Sequence, residues 1–171
     1  MPRSFYMGEK PLECVSSSKN DFRSFPDSVR PEMGKALGLA QFGGKHPSAK
    51  PWTGQGPGVF ELVEDHDGDT YRAVYTVRFQ DVVYVLHAFQ KKSPSRIRTA
   101  QLDIDMIERR LRLAQQDYQA RMAYESAETM NEADETITRG TGNVFADLGY
   151  PDVGEPQTKL RLAYAINGVI A

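Results

Sequence analysis

Between Val59 and Gln90 lie three β-rich runs, VFELVED, TYRAVYTVRF and VVYVLHAFQ, parted by HDGD and by the short turn Gln80-Asp81. Connections this brief join strands only as hairpins, so the chain is constrained to an antiparallel meander. Side chains alternate along a strand. In the middle run Tyr71, Ala73, Tyr75, Val77 and Phe79 therefore take one face, and Arg72, Val74, Thr76 and Arg78 the other. The last run puts Val83, Val85, His87 and Phe89 together, and a histidine among such neighbours reads as half-buried and hydrogen-bonded. DHDGD carries the side chains of a metal cluster, but Asp and Gly supply the backbone angles of a hairpin turn, and it is read as one.

Ahead of the meander, LECVSS has strand character, Ser17 or Ser18 can cap a short helix over KNDFRSF, and Pro26 ends it. DSVRPEMGKALGLAQFGG predicts a second helix, capped by Asp27 or Ser28 and closed by Gly43 and Gly44, with Val29, Met33, Ala36, Leu37 and Ala40 on its core face. KHPSAKPWTGQGPG is a basic loop. A long helix is predicted from Thr99 to about Glu125, with a partly apolar stripe through Leu102, Met106, Arg109/Arg110, Leu111 and Leu113.

The remaining sequence changes character. Residues 1–100 carry 14 Lys/Arg against 11 Asp/Glu, for +3, whereas residues 101–171 carry 7 against 12, for −5. SAETMNEADETITRGT loses its hydrophobic pattern and reads as an acidic linker, and the roughly thirty residues beyond it cannot bury a core alone. They are expected on the first domain, on another chain, or partly unordered. Cys14 is alone, which rules out an intrachain disulfide, and no Cys/His cluster suggests zinc. The N-terminus lacks a signal-peptide pattern and no run reaches bilayer length, so the expected location is cytoplasmic, without membrane contact or cofactor.

The order strand, two helices, meander, helix, together with GGKHPSAKP, VEDHDGDTYRAVYTVRF and VYVLHAFQKKS, resembles the phage-derived HigB-like branch of the RelE/HigB toxins from about Lys10 to Leu113. The resemblance implies an α+β, RelE-like fold: two N-terminal helices on a small antiparallel sheet, then a long helix and an appended tail. NVFADLGYPD and KLRLAYAI are similar to the opening of HigA-like helix-turn-helix antitoxins, whose later helices are absent. The expected organisation is a leader at 1–9, a toxin domain at 10–125, an acidic linker at 126–141 and a truncated antitoxin-like segment at 142–171.

What the resemblance implies for function is a toxin of a type II toxin–antitoxin system. Such a toxin cuts mRNA on the ribosome by attack of the ribose 2′-OH on the adjacent phosphate, and so inhibits translation. That reaction needs a proton acceptor, cations around the phosphate and a donor to the leaving oxygen, and it needs no metal. The expected catalytic residues are Arg72 for the phosphate, Lys92 for the phosphorane or the leaving group, and His46 as base or phosphate contact. Lys45, Lys50, Arg78, Lys91, Arg96 and Arg98 are expected to hold RNA or the ribosome. Implied partners are mRNA on the ribosome and a cognate HigA-like antitoxin, with self-association through residues 142–171 as a further option. The competing reading is a catalytically silent toxin-like module, inhibited or oligomerised by its own tail: residues 125–155 carry eight acids against Arg139, a balance suited to masking a cationic face.

Overall fold

A computed structural model describes residues 8–91, 97–126, 137–140 and 143–149, with 159 and 161. Strand β1 (Leu12–Val15) leads into α1 (Ser18–Arg23) and α2 (Arg30–Gln41), followed by β2 (Lys50–Pro51), β3 (Val59–His66), β4 (Asp69–Thr76) and β5 (Val83–Lys91). Then come α3 (Ile97–Ser126), β6 (Ile137–Thr138) and α4 (Val144–Asp147). The six strands form one sheet in the order β2-β3-β4-β5-β1-β6.

The architecture is α+β, with one correction to the expected layout. The sheet is mixed, because β1 runs parallel to β5. The two helices fall between the first strand and the meander, in the expected order, and lie within the crossover that a parallel β1–β5 pairing requires.

Both sheet faces are covered. On one, α1 and α2 pack Phe22, Met33 and Leu37 against Leu62, Tyr75 and Val85. On the other, Ile107, Leu111 and Ala114 of α3 meet Val74, Tyr84 and Leu86. Each such fully buried apolar side chain stabilises by about 1.5–3 kcal/mol, and truncating Phe22 to Ala would cost about 3–5 kcal/mol.

Alternation along β4 holds: Tyr71, Ala73 and Tyr75 belong to the first core, Val74 to the second. Alternation along β5 breaks. The register slips between Val74 and Tyr75, so Val74 faces His87 while Tyr75 faces Val85. This bulge moves His87 and Phe89 from the face of Val85 to that of Tyr84 and Leu86. The β4–β5 connection is also longer than Gln80-Asp81, because β4 ends at Thr76 and Phe79 folds into the second core. The β3–β4 connection is the expected hairpin, with Asp67 (φ 50°) and Gly68 (φ 80°) at its tip.

α2 has the expected core face but no side-chain cap. Asp27 instead pairs with Arg30, and Ser28 lies 3.2 Å from the His66 ring. In α3 the later part of the predicted stripe holds, with Arg110 and Leu111 buried and Leu113 half-buried, but its start does not: Leu102 is 62% exposed and Met106 40%, and Ile107, Ala114 and Asp117 are buried in addition.

The described part of the tail docks on the preceding domain. β6 pairs antiparallel with the outer edge of β1, and Phe145 and Leu148 enter the α1/α2 core. No helix among the described residues is long and apolar enough to cross a membrane.

Candidate active site

Arg72 stands mid-sheet on β4, directly opposite Val63 of β3 and Phe89 of β5. It shares its face with Val74, the face on which α3 packs against β5 and β1. Its Nη1 donates to Glu61 Oε2 at 2.5 Å, and the two side chains keep 24% and 16% of their surface exposed. Arg72 Nε is buried, with no hydrogen-bond partner among the described residues. The guanidinium is thus fixed along one edge by a carboxylate and still reaches solvent.

Register assigns the neighbours, since residues directly opposite each other across a ladder share a face. Lys50 of β2 lies opposite Glu61, which lies opposite Val74, which lies opposite His87. One row over are Val63, Arg72 and Phe89, and beyond them Asp65, Thr70 and Lys91. Together they form a strip across four strands with Arg72 at its centre, cations at both sides, and the half-buried rings of Phe89 and Trp52 at the fringe of the second core.

His87 braces this strip. Arg110 Nη1 donates to Leu86 O at 2.9 Å and lies 3.1 Å from His87 Nδ1. A guanidinium can only donate, so Nδ1 accepts and the imidazole proton sits on Nε2, which donates to Asp103 Oδ1 at 3.1 Å. Burial lowers the His87 pKa, Arg110 adds to that, and Asp103 opposes it. The ring is held neutral with both nitrogens engaged, and Phe89 stacks on it at 4.7 Å between centroids. Its part is to fix the Phe89 ring beside Arg72.

The expected site residues are not all brought together. Lys45 Nζ lies 4.9 Å over the Phe60 ring, on the α1/α2 face. His46 accepts from the Ser48 backbone N–H at 3.2 Å and acts electrostatically on Glu32 and Glu64, the latter opposite Tyr71 on that same face. Both therefore lie toward the face of the sheet opposite Arg72. Arg78 is exposed and lies along the 53–58 loop, donating from Nε to Pro57 O at 3.1 Å and from Nη2 to Gln55 O, which orders that loop. Lys50 and Lys91 are exposed on the Arg72 face. Lys92 and Arg96 lie outside the described residues, and Arg98 falls in the first turn of α3.

Sequence reasoning missed Glu61. A signal existed: Glu61 is the single acid between Val59 and Val63 on the alternating positions of VFELV, where a polar group on an otherwise apolar face calls for a partner.

In comparison with known families, residues 20–112 match the phage derived protein Gp49-like family (DUF891), a span of more than half the chain. No curated protein and no solved structure matches the chain.

Proposed function

The chain belongs to the phage derived Gp49-like family, a family of RelE/HigB-like toxins, and on that premise we propose that it is the toxin of a type II toxin–antitoxin pair that cleaves mRNA on the ribosome. The toxin family implies an antitoxin partner. The proposed HigB-type activity would be exercised in the cytoplasm, where ribosomes are. The observation that carries this reading is the Arg72 strip: a partly exposed guanidinium oriented by Glu61, with Lys50 and Lys91 on the same face.

In the proposed reaction Arg72 grips the non-bridging oxygens of the scissile phosphate, where charge grows in the transition state. Glu61, already at the guanidinium, accepts the proton of the attacking 2′-OH, the role that the sequence had suggested for His46. Lys92 follows Lys91 directly in the chain, and its proposed role is to stabilise the phosphorane or protonate the leaving 5′-oxygen. Phe89, fixed by His87, offers a ring on which a neighbouring base can stack. Lys45, Arg78, Arg96 and Arg98 remain proposed contacts to ribosomal RNA, which add affinity without reading sequence.

The reading of a module silenced by its own tail requires that tail on the Arg72 strip. The described tail residues occupy the β1 edge and the α2 face instead, which favours an active full-length chain. Inducing the full chain in cells and mapping mRNA 5′ ends tests the proposal. It predicts new ends within translated frames, dependent on translation and absent for Arg72→Ala. Soluble, folded full-length protein that produces no new ends refutes it.

A further inference from the structure

The tail's seat has the features of a recognition site. β1 offers its free edge, and β6 completes it with the pairs Cys14↔Thr138 and Val15↔Ile137. Just beyond, two buried carboxylates, Glu13 and Asp117, lie beneath the exit of that strand. Arg139 closes a two-pronged pair on Asp117, Nη1 to Oδ2 at 2.9 Å and Nη2 to Oδ1 at 2.8 Å. The Gly140 N–H donates to Glu13 Oε2 at 2.9 Å. Position 140 admits only glycine, because a Cβ there would stand 1.9 Å from Leu12 O. Asn143 Oδ1 then accepts from the N–H groups of Phe145 and Ala146 at 3.1 and 3.3 Å, which starts α4 and delivers Phe145 and Leu148 into the core.

Burial pushes Asp117 up, yet hydrogen bonds from Arg139, Tyr84 and Arg121 outweigh that and hold it below the usual aspartate value. Glu13 is held above its usual value, burial outweighing Arg121 and the Gly140 N–H. Without the tail both carboxylates would lose donors. The seat thus carries a strand edge, a slot for a guanidinium and two apolar sockets, which is the arrangement of strand-addition peptide recognition.

We infer that the β1 edge with the Glu13/Asp117 slot is a peptide-binding site filled in cis by residues 137–140 and 143–149, specific for a strand followed by Arg-Gly and then Phe-x-x-Leu. While the chain's own segment is seated, a partner presenting the same pattern is shut out.

The test uses the full chain and a labelled peptide of the sequence ITRGTGNVFADLG, followed by fluorescence anisotropy. Wild-type protein is expected not to capture it. The Gly140→Ala variant, whose own segment cannot seat, is expected to bind the peptide, and a peptide with Ala in place of Arg is expected to bind at least about tenfold more weakly. A folded Gly140→Ala protein that ignores the peptide overturns the inference, as does equal capture by wild type or equal binding of the Arg-lacking peptide. Should Gly140→Ala not fold, the full-length Arg139→Ala chain is put through the same assay and judged by the same outcomes. RNA cleavage is not read, so this site and the nuclease reading can fail separately.

Discussion

Two arginine–carboxylate pairs lie toward opposite ends of one sheet, and they differ in what surrounds them. Arg72 and Glu61 meet on strands β4 and β3, both partly exposed, with one contact between them. At the β1 edge, Asp117 is 3% exposed and takes donors from Arg139, Arg121 and Tyr84 at once. The chemistry of the pairs is the same; the solvent is not. A pair open to water is worth little to stability and leaves its cation able to bind something else, whereas enclosed charges stay only while every partner is present. The first is fit for a ligand and the second for a clasp.

Removing the enclosed acid should have the largest effect. Asp117→Ala takes one carboxylate partner from both Arg121 and Arg139 and leaves the Tyr84 hydroxyl without its acceptor, and it is expected to cost about 3–5 kcal/mol in urea unfolding; a loss under about 1 kcal/mol would erase the contrast between the two pairs. Glu61→Gln should do the reverse, lowering RNA cleavage by about a hundredfold while changing unfolding free energy by no more than about 1 kcal/mol. A stable, fully active Glu61→Gln protein would remove Glu61 from the mechanism.

Acid should separate the regions again. Asp117 has a folded pKa below its unfolded one, so its contribution is whole above the ordinary aspartate value and is lost as pH falls through the depressed one, below about pH 4. His87 is also depressed, so protons favour the unfolded chain once pH drops below about 6.5. Unfolding free energy should therefore decline from pH 7 to 5.5 with a slope of at most about 1.4 kcal/mol per pH unit from this group. Replacing His87 with Gln should flatten that limb, and an unchanged slope would show that His87 is not the group responsible. The smallest effect belongs to the strip's flanks: Lys50→Gln or Lys91→Gln should each reduce the salt dependence of RNA affinity by about 0.7 in the log–log slope, the same for any sequence.

The three meander strands, α2 and the extent of α3 were legible because their signals are local: alternation, a Pro in the first turn, Gly43 at the helix end. What was not legible involves partners far apart in sequence. Asp117 lies on the buried side of α3, where a hydrophobic pattern gives no sign of it, and the same pattern wrongly admits Leu102 and Met106 at the exposed start. The bulge that carries His87 across β5 depends on pairing with β4, not on the composition of either strand. β6 is two residues long, and its hold comes from Glu13 and Asp117, more than a hundred and about twenty positions away. Of the expected site, the face of Arg72 followed from alternation, whereas its choice as a site residue came from the resemblance. Glu61 and the separation of His46 required knowing which strand lies beside which, and how the 45–50 loop rounds the sheet edge.

The central claim is that Arg72 and Glu61 promote 2′-OH attack with side chains alone. Its most direct test is the chemistry of the RNA ends produced by purified full-length protein on programmed ribosomes in EDTA-treated, magnesium-restored and Arg72→Ala reactions. The account predicts 2′,3′-cyclic phosphate and 5′-hydroxyl ends from the wild type and a loss of about a hundredfold or more in Arg72→Ala. Ends bearing a 5′-phosphate, or undiminished cleavage by a folded Arg72→Ala protein, would contradict it.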